Sequence, residues 1–195
     1  MNSRPNSPTP SHFPSPFPPP GSLRLEGQGL QLREWDESDD VPALVKLYDD
    51  PQISRWTPVP SPFDAEAAGL YLAAASGARA EDRRIQLAIT TDGMQPQGEI
   101  LLFRSDVDAR DIELAYGIGP QFRRQGLATR AVRLATDYAL RQLAPRRVLL
   151  RIEAANVASE AVAKAADFRL TGDEPVLRDT RGRQVSLRTW AHDAE

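Results

Sequence analysis

"QFRRQGLATRAVRLATDYAL", residues 121–140, places paired arginines, a single glycine and small residues directly ahead of a helical run. A helix N-terminus presents backbone N–H groups that lack intrahelical partners, together with the positive end of the macrodipole. A basic, nearly side-chain-free turn at that point suits an anion, and a phosphate above all. Two familiar phosphate loops do not fit. Gly117 and Gly119 open a G-x-G, but Phe122 stands where the dinucleotide fingerprint needs a third glycine, and no Gly-Lys-Ser/Thr occurs in the chain. What remains is R-x-x-G-x-A, from Arg123 to Ala128. Here Gly126 and Ala128 keep bulk away, so that the amides of Arg124, Gln125, Gly126, Leu127, Ala128 and Thr129 can face a phosphate. Arg123 and Arg124 add charge and Thr129 a hydroxyl. The competing reading is a helix start at which Gly126 serves only close packing.

The neighbouring segments alternate between helix and strand. The helix after the loop is expected from about Gln125 to Leu143, because Leu127, Ala131, Leu134, Ala135, Tyr138 and Leu143 recur near the helical repeat. Upstream, "RIQLAIT", "GEILLF" and "DIELAYGI" read as strands joined by turn-rich segments. Further back, "LQLREW" alternates as a strand, and "SDDVPALVKLYDD" reads as a helix with Ser38 or Asp39 as its cap. The prolines of "RWTPVPSPF" make a non-helical connection, after which Asp64 caps a second helix to about Ser76. Downstream come the strand "RRVLLRIEA", the short helix "VASEAVAKAA" and a closing strand pair in "FRLTG" and "QVSLRTWAH". The order β-α-α-β-β-β-α-β-α-β-β describes a mixed α/β domain.

Composition narrows the chemistry. The chain has 195 residues, 41% hydrophobic and 26% charged, with a net charge of −3, so any phosphate site is local rather than a global basic field. There is no cysteine and there are two histidines, His12 and His192, which argues against thiolate chemistry, a histidine triad and a zinc cluster. No metal is expected. The absence of cysteine suits a reducing cytoplasm, and no apolar run is long enough for a membrane span. Arg130, Arg133, Arg141, Arg146 and Arg147 are not interleaved with aromatic residues, so no nucleic-acid partner is expected. Residues 1–21, rich in proline and serine, read as a disordered tail, and residues 22–195 as a single domain.

The R-x-x-G-x-A loop resembles motif A of the GNAT acetyltransferases, whose Q/R-x-x-G-x-G/A turn holds the pyrophosphate of coenzyme A. Three segments in the family's order carry the likeness to its RimJ/RimL-like branch. They are "LQLREWDESDDVPALVKLYDDPQISRWTPVPSPF", "IELAYGIGPQFRRQGLATRAV" and "NVASEAVAKAADF". Departures occur at Ala115 and Gly117, where the branch often has Gly and Trp, at Arg130 in place of Glu, and at Asp167 in place of Gly. The resemblance implies a GNAT fold, a mixed, mostly antiparallel central sheet flanked by helices. It also implies acetyl-CoA as cosubstrate and an amine acceptor, either a peptide N-terminus or a small molecule, in a monomer or homodimer.

The same resemblance assigns roles to single residues. The backbone of Tyr116, Gly117 and Ile118 would lie beside the pantetheine arm and the thioester carbonyl, and Asn156 would contact the arm. Glu113 matches an acidic position that often acts as general base, with Glu99 on the preceding strand as the second candidate. Either carboxylate could instead pair with an arginine. Ser159 matches a hydroxyl that protonates or hydrogen-bonds the leaving thiolate, and Asn156 or Ser159 could instead only cap the helix. No tyrosine follows in that helix. The rival readings are a non-catalytic acyl-CoA-binding sensor and an arginine-rich protein-interaction module.

Overall fold

The structure is a computed structural model and describes residues 14–21 and 23–193. One sheet organises it, in the order β1-β2-β3-β4-β5-β6-β9-β7, with β8 added on β9. Its first five strands are β1 (Arg24–Gly27), β2 (Leu30–Glu34), β3 (Arg84–Thr90), β4 (Gly98–Arg104) and β5 (Ile112–Ile118). The remaining four are β6 (Arg147–Glu153), β7 (Arg169–Leu170), β8 (Val176–Thr180) and β9 (Arg183–Asp193). Every pairing is antiparallel except β5 with β6, which is parallel. The mixed, mostly antiparallel sheet flanked by helices is as expected.

Strand alternation sends side chains to two layers. On one face Ile85, Leu87, Ile89, Ile100, Leu102 and Leu114 pack with α4 (Leu127–Tyr138) and α5 (Val157–Ala165). Within α4, Leu127, Ala131, Val132, Leu134 and Ala135 are buried, and this apolar stripe is what makes the segment a core helix. The other layer holds α1 (Val41–Tyr48), α2 (Pro51–Trp56) and α3 (Ala65–Ala80), with a second cluster built on Leu44, Leu47, Tyr48, Ile53 and Phe63.

Several local expectations need correction. Neither Ser38 nor Asp39 caps α1; Asp40 occupies the cap position and makes no side-chain cap bond, because Arg33 takes its carboxylate at 2.6 and 3.0 Å. The segment expected to be a non-helical connection begins inside α2, where Asp50 accepts from the Gln52 and Ile53 amides and Pro51 fits the first turn. Asp64 does cap α3, accepting from the Ala67 amide, but the helix runs past Ser76 to Ala80. Helix α4 widens into a π turn at Ala139–Leu143, where the Ala144 amide donates to the Ala139 carbonyl.

The largest correction concerns the N-terminal tail. Residues 1–13 lie outside the described residues, but residues 14–21 pack on the domain rather than standing off it. Phe17 is buried, its amide donates to Asp82 at 2.6 Å, and the Arg104 guanidinium lies 4.9 Å from its ring centroid. The Ser15 amide donates to the Leu143 carbonyl at 2.7 Å, satisfying an acceptor left over at the end of the π turn. Phe17→Ala is therefore expected to cost about 3 kcal/mol of stability, the low end of the scale for a buried phenylalanine. That corresponds to a fall in Tm on the order of 5–10 °C. A thermal melt within a degree of the parent would show that the segment contributes nothing.

Candidate active site

The loop at residues 119–126 is held from behind. After β5 the Gly119 amide donates to the Gln97 carbonyl at 3.0 Å, and Pro120–Phe122 makes one tight helical turn. Arg123 then turns back into the protein. Its Nε donates to the Ile118 carbonyl at 3.1 Å, and its Nη atoms reach Gln52 Oε1 at 2.8 Å and Asp50 Oδ1 at 2.9 Å. Arg123 thus clamps the loop to the start of α2 and is not placed to meet a phosphate, contrary to the expectation from its position in the motif. Arg124 is exposed and has no partner among the described residues.

Gly126 adopts φ +73 as the residue before α4, and the first helical bond runs from the Arg130 amide to its carbonyl at 3.1 Å. The amides of Leu127, Ala128 and Thr129 accordingly have no intrahelical acceptor. A Cβ built on Gly126 meets nothing within 4 Å, so glycine is there for its left-handed backbone and not for close packing. Open space before free amides, with one uncommitted arginine beside it, fits a diphosphate.

The second feature is a split in the sheet. Strands β5 and β6 pair only at Ile112 with Val148, Glu113 with Leu149 and Leu114 with Leu150. Beyond Leu114 they diverge, leaving the Ala115–Ile118 edge of β5 without a strand partner on that side among the described residues. Across the gap the Tyr116 hydroxyl lies 2.8 Å from Ser159 Oγ, and burial pushes that phenol up to about 12. Asn156 caps α5, its Oδ1 accepting from the Ser159 amide at 3.1 Å. Tyr116 was expected to act through its backbone alone. Its side-chain contact with Ser159, across forty-three positions of sequence, had no local signal.

Glu99 and Glu113 share one face of the sheet, the face toward α1 and α3, but stand at opposite ends of β5. Glu113 sits where β5 and β6 are still paired. It is buried, and both carboxylate oxygens are taken by Arg178, at 2.7 and 2.9 Å, with Arg151 Nε at 3.6 Å. Hydrogen bonding to Glu113 raises the Arg178 pKa further. Glu113 therefore anchors the β8–β9 hairpin and is not placed as a free base. Arg178→Ala, which leaves this buried carboxylate only Arg151 at 3.6 Å, is expected to cost about 3 kcal/mol. Glu113→Gln should lower Tm as well while leaving the shape of any pH–rate profile intact; a profile that collapses would restore Glu113 as the base.

Glu99 is the register partner of Gly117, at the open end of the split. It is fully buried; Oε2 accepts from the Tyr48 hydroxyl and from the Tyr71 hydroxyl at 2.7 Å, and Oε1 accepts from Gln86 Nε2 at 2.8 Å. Burial pushes its carboxyl above the usual range despite these donors. Of the two glutamates named as base candidates, Glu99 is the one at the open end of the split. Gly117 faces α1 and α2 closely on this side: a Cβ there would touch Ile53 at 3.4 Å and both Leu47 and Tyr48 at 3.9 Å. The tip of the β8–β9 hairpin closes the same side, with Arg181 donating to the Ser54 carbonyl and to the Val59 carbonyl at 3.3 Å.

The model of the GNAT acetyltransferase domain matches residues 30–169. The chain belongs to the GNAT acetyltransferase family. This GNAT domain shares its fold with solved structures of low sequence identity. A GNAT-family protein from Chromobacterium violaceum ATCC 12472 superposes with a TM-score of 0.78 at 21% identity, covering 100% of this chain and 97% of that one. RimJ of Mycobacterium smegmatis, solved with CoA-disulfide, gives 0.73 at 17%, over 88% of this chain and 86% of its own. RimL, a ribosomal L7/L12 α-N-protein acetyltransferase solved with coenzyme A, gives 0.72 at 18%, over 88% and 98%. Comparison with curated protein sequences finds no match. Among the described residues of the GNAT domain, no group of three or more His, Asp or Glu side chains is arranged to hold a metal ion, and no helix is long and apolar enough to cross a membrane.

Proposed function

We propose that this domain transfers the acetyl group of acetyl-CoA to a primary amine, a protein N-terminal α-amine or a small-molecule amine, by direct attack in a ternary complex. The observation that carries the reading is the alignment of the sheet split with the open, left-handed turn at Gly126 and the free amides of α4. The cosubstrate supplies a thioester whose carbonyl carbon is the electrophile. The amides of Leu127, Ala128 and Thr129, helped by Arg124, bind the diphosphate, and Gln125 and Gly126 shape the turn. The unpaired edge at Tyr116, Gly117 and Ile118 binds the pantetheine arm as a strand would, with Asn156 facing it from α5. Glu99 accepts the acceptor's proton on the α1 and α3 face. Ser159, backed by the Tyr116 hydroxyl, steadies the departing sulfur on the other.

This reading makes the protein an enzyme of RimJ/RimL type acting in the cytoplasm. The structural likeness to RimJ and RimL supports the α-amine acceptor without selecting it over a small molecule. The test is an acetyl-CoA turnover screen over N-terminal peptides and small amines, followed by thiol release. Acetylation of at least one class above the uncatalysed rate is expected. Tight binding of acetyl-CoA with no turnover on any amine would leave only an acyl-CoA sensor.

A further inference from the structure

Glu99 has no exposed surface, so no acceptor nitrogen can touch it directly. The groups around it differ in their access to solvent. Tyr48 and Gln86 are buried, whereas Tyr71, on α3, is only partly so. Tyr71 also lines an open hollow of about 480 Å³ with Pro60, Pro62 and Leu70, on the loop that the Arg181 hairpin tip covers. Its hydroxyl lies 2.7 Å from Glu99 Oε2 and 3.1 Å from the Tyr48 hydroxyl. The Tyr48 ring in turn reaches the Gly117 end of the split, with Cε1 at 3.9 Å from a Cβ built there. Among the described residues, Tyr71 is the one side chain that both bonds the buried carboxylate and lines the open hollow.

The geometry points to Tyr71 as the proton relay between the acceptor amine and Glu99. This rests on the acetyltransferase reading and adds a residue to it. The acceptor's ammonium gives one N–H proton to Tyr71 Oη while the Tyr71 hydroxyl proton passes to Glu99 Oε2. The amine, now neutral, attacks the thioester carbonyl carbon with its lone pair; the C–N bond forms and the C–S bond breaks, leaving its electron pair on sulfur. The amine's second proton leaves through Ser159 or water to that thiolate, and Glu99 returns its proton to solvent through Tyr71. The charged and titratable groups facing Tyr71 are Glu99 from β4, Tyr48 from α1 and Arg84 from β3, and Asp64 and Glu66 line the hollow beside it. Burial first, and then the Glu99 charge, pushes the Tyr71 phenol well up, so it stays protonated at neutral pH and can pass a proton on without holding the charge.

Tyr71→Phe keeps the ring and its edge contacts with Tyr48 and Phe63, at centroid distances of 5.3 and 5.9 Å, and removes only the hydroxyl. With the amine found by the screen, kcat/KM is measured from pH 6 to 10 for the parent, Tyr71→Phe, Glu99→Gln and the double variant. The relay predicts a loss of about 10-fold or more at neutral pH for Tyr71→Phe, below the ~10²-fold of a lost base because water can replace a relay, shrinking as the amine deprotonates unaided. It also predicts that the double variant is no slower than Glu99→Gln alone. A Tyr71→Phe profile equal to the parent's, a loss constant with pH, or fully additive losses would each overturn it. Turnover by the parent reports on the acetyltransferase reading separately, and carboxyl NMR of Glu99 reports on the bond without turnover. Removing the Tyr71 donor should raise the Glu99 pKa further, and an unchanged titration would also overturn the relay.

Discussion

Gly126→Glu is expected to weaken coenzyme A binding by at least about 10²-fold in a calorimetric titration while the domain stays folded. The side chain projects into open space, so no core contact is lost. A non-glycine residue at φ +73 costs about 1–2 kcal/mol, which lowers Tm by a few degrees. The larger effect is electrostatic. A carboxylate about 4 Å from a diphosphate charge costs ~4 kcal/mol at an effective dielectric of ~20. Salt weakens this, which is why the expectation is set lower. Gly126→Ala carries the backbone strain without the charge and should bind within about 10-fold of the parent, on the same ~1–2 kcal/mol scale. Equal affinity for the glutamate variant and the parent would remove the diphosphate from this turn.

Glu99→Gln should lower kcat/KM by about 10²-fold or more at neutral pH, the scale of a lost general base. An α-amine titrates near ~8 and a lysine near ~10.4, so the loss should shrink with rising pH as the acceptor deprotonates on its own. In the parent, kcat/KM should climb with pH through the raised pKa of Glu99, because only the carboxylate accepts a proton. Stability runs in the opposite direction. A folded-state pKa above the unfolded one means that the native state binds more protons in the interval between them. The associated stability is full below the unfolded pKa and is lost as pH rises through the folded one. Glu99→Gln removes that cost, so its Tm at pH 8 should equal or exceed the parent's. A variant that loses both activity and several degrees of Tm would mark Glu99 as a structural group.

The parts of this site that are contiguous in sequence were legible, and the parts made by distant pairs were not. Residues 112–138 announce themselves because alternation, glycines, arginines and an amphipathic stripe follow one another within a single βα unit. The same segment misled at Arg123, whose place in the motif says nothing of Asp50, a partner more than seventy positions away. Glu113 is a base candidate by resemblance, with an arginine pair as the alternative, and no local signal points to Arg178, sixty-five positions downstream. The tyrosines on Glu99 come from α1 and α3, which only the packed second layer brings to β4. Other features had signals that were outweighed. Asp50 and Pro51 form a cap and first turn, a helix-start signal just ahead of the proline-rich residues 55–63 that read as a connection. The hairpin of β8 and β9 turns at Arg181 and Gly182, with φ +52 and +74, a two-residue pattern that glycine advertises. Among the described residues 14–21, Phe17 is the apolar anchor of a proline-rich run, and composition averages it away.

Direct transfer in a ternary complex is tested most plainly by intact-mass spectrometry of the protein and the acceptor during turnover, with released thiol counted in parallel. One N-acetyl group should appear on the amine for each thiol released, with the protein's own mass unchanged at every time point. An acetyl group accumulating on the protein before the amine, or thiol release without an acetylated amine, would contradict the account.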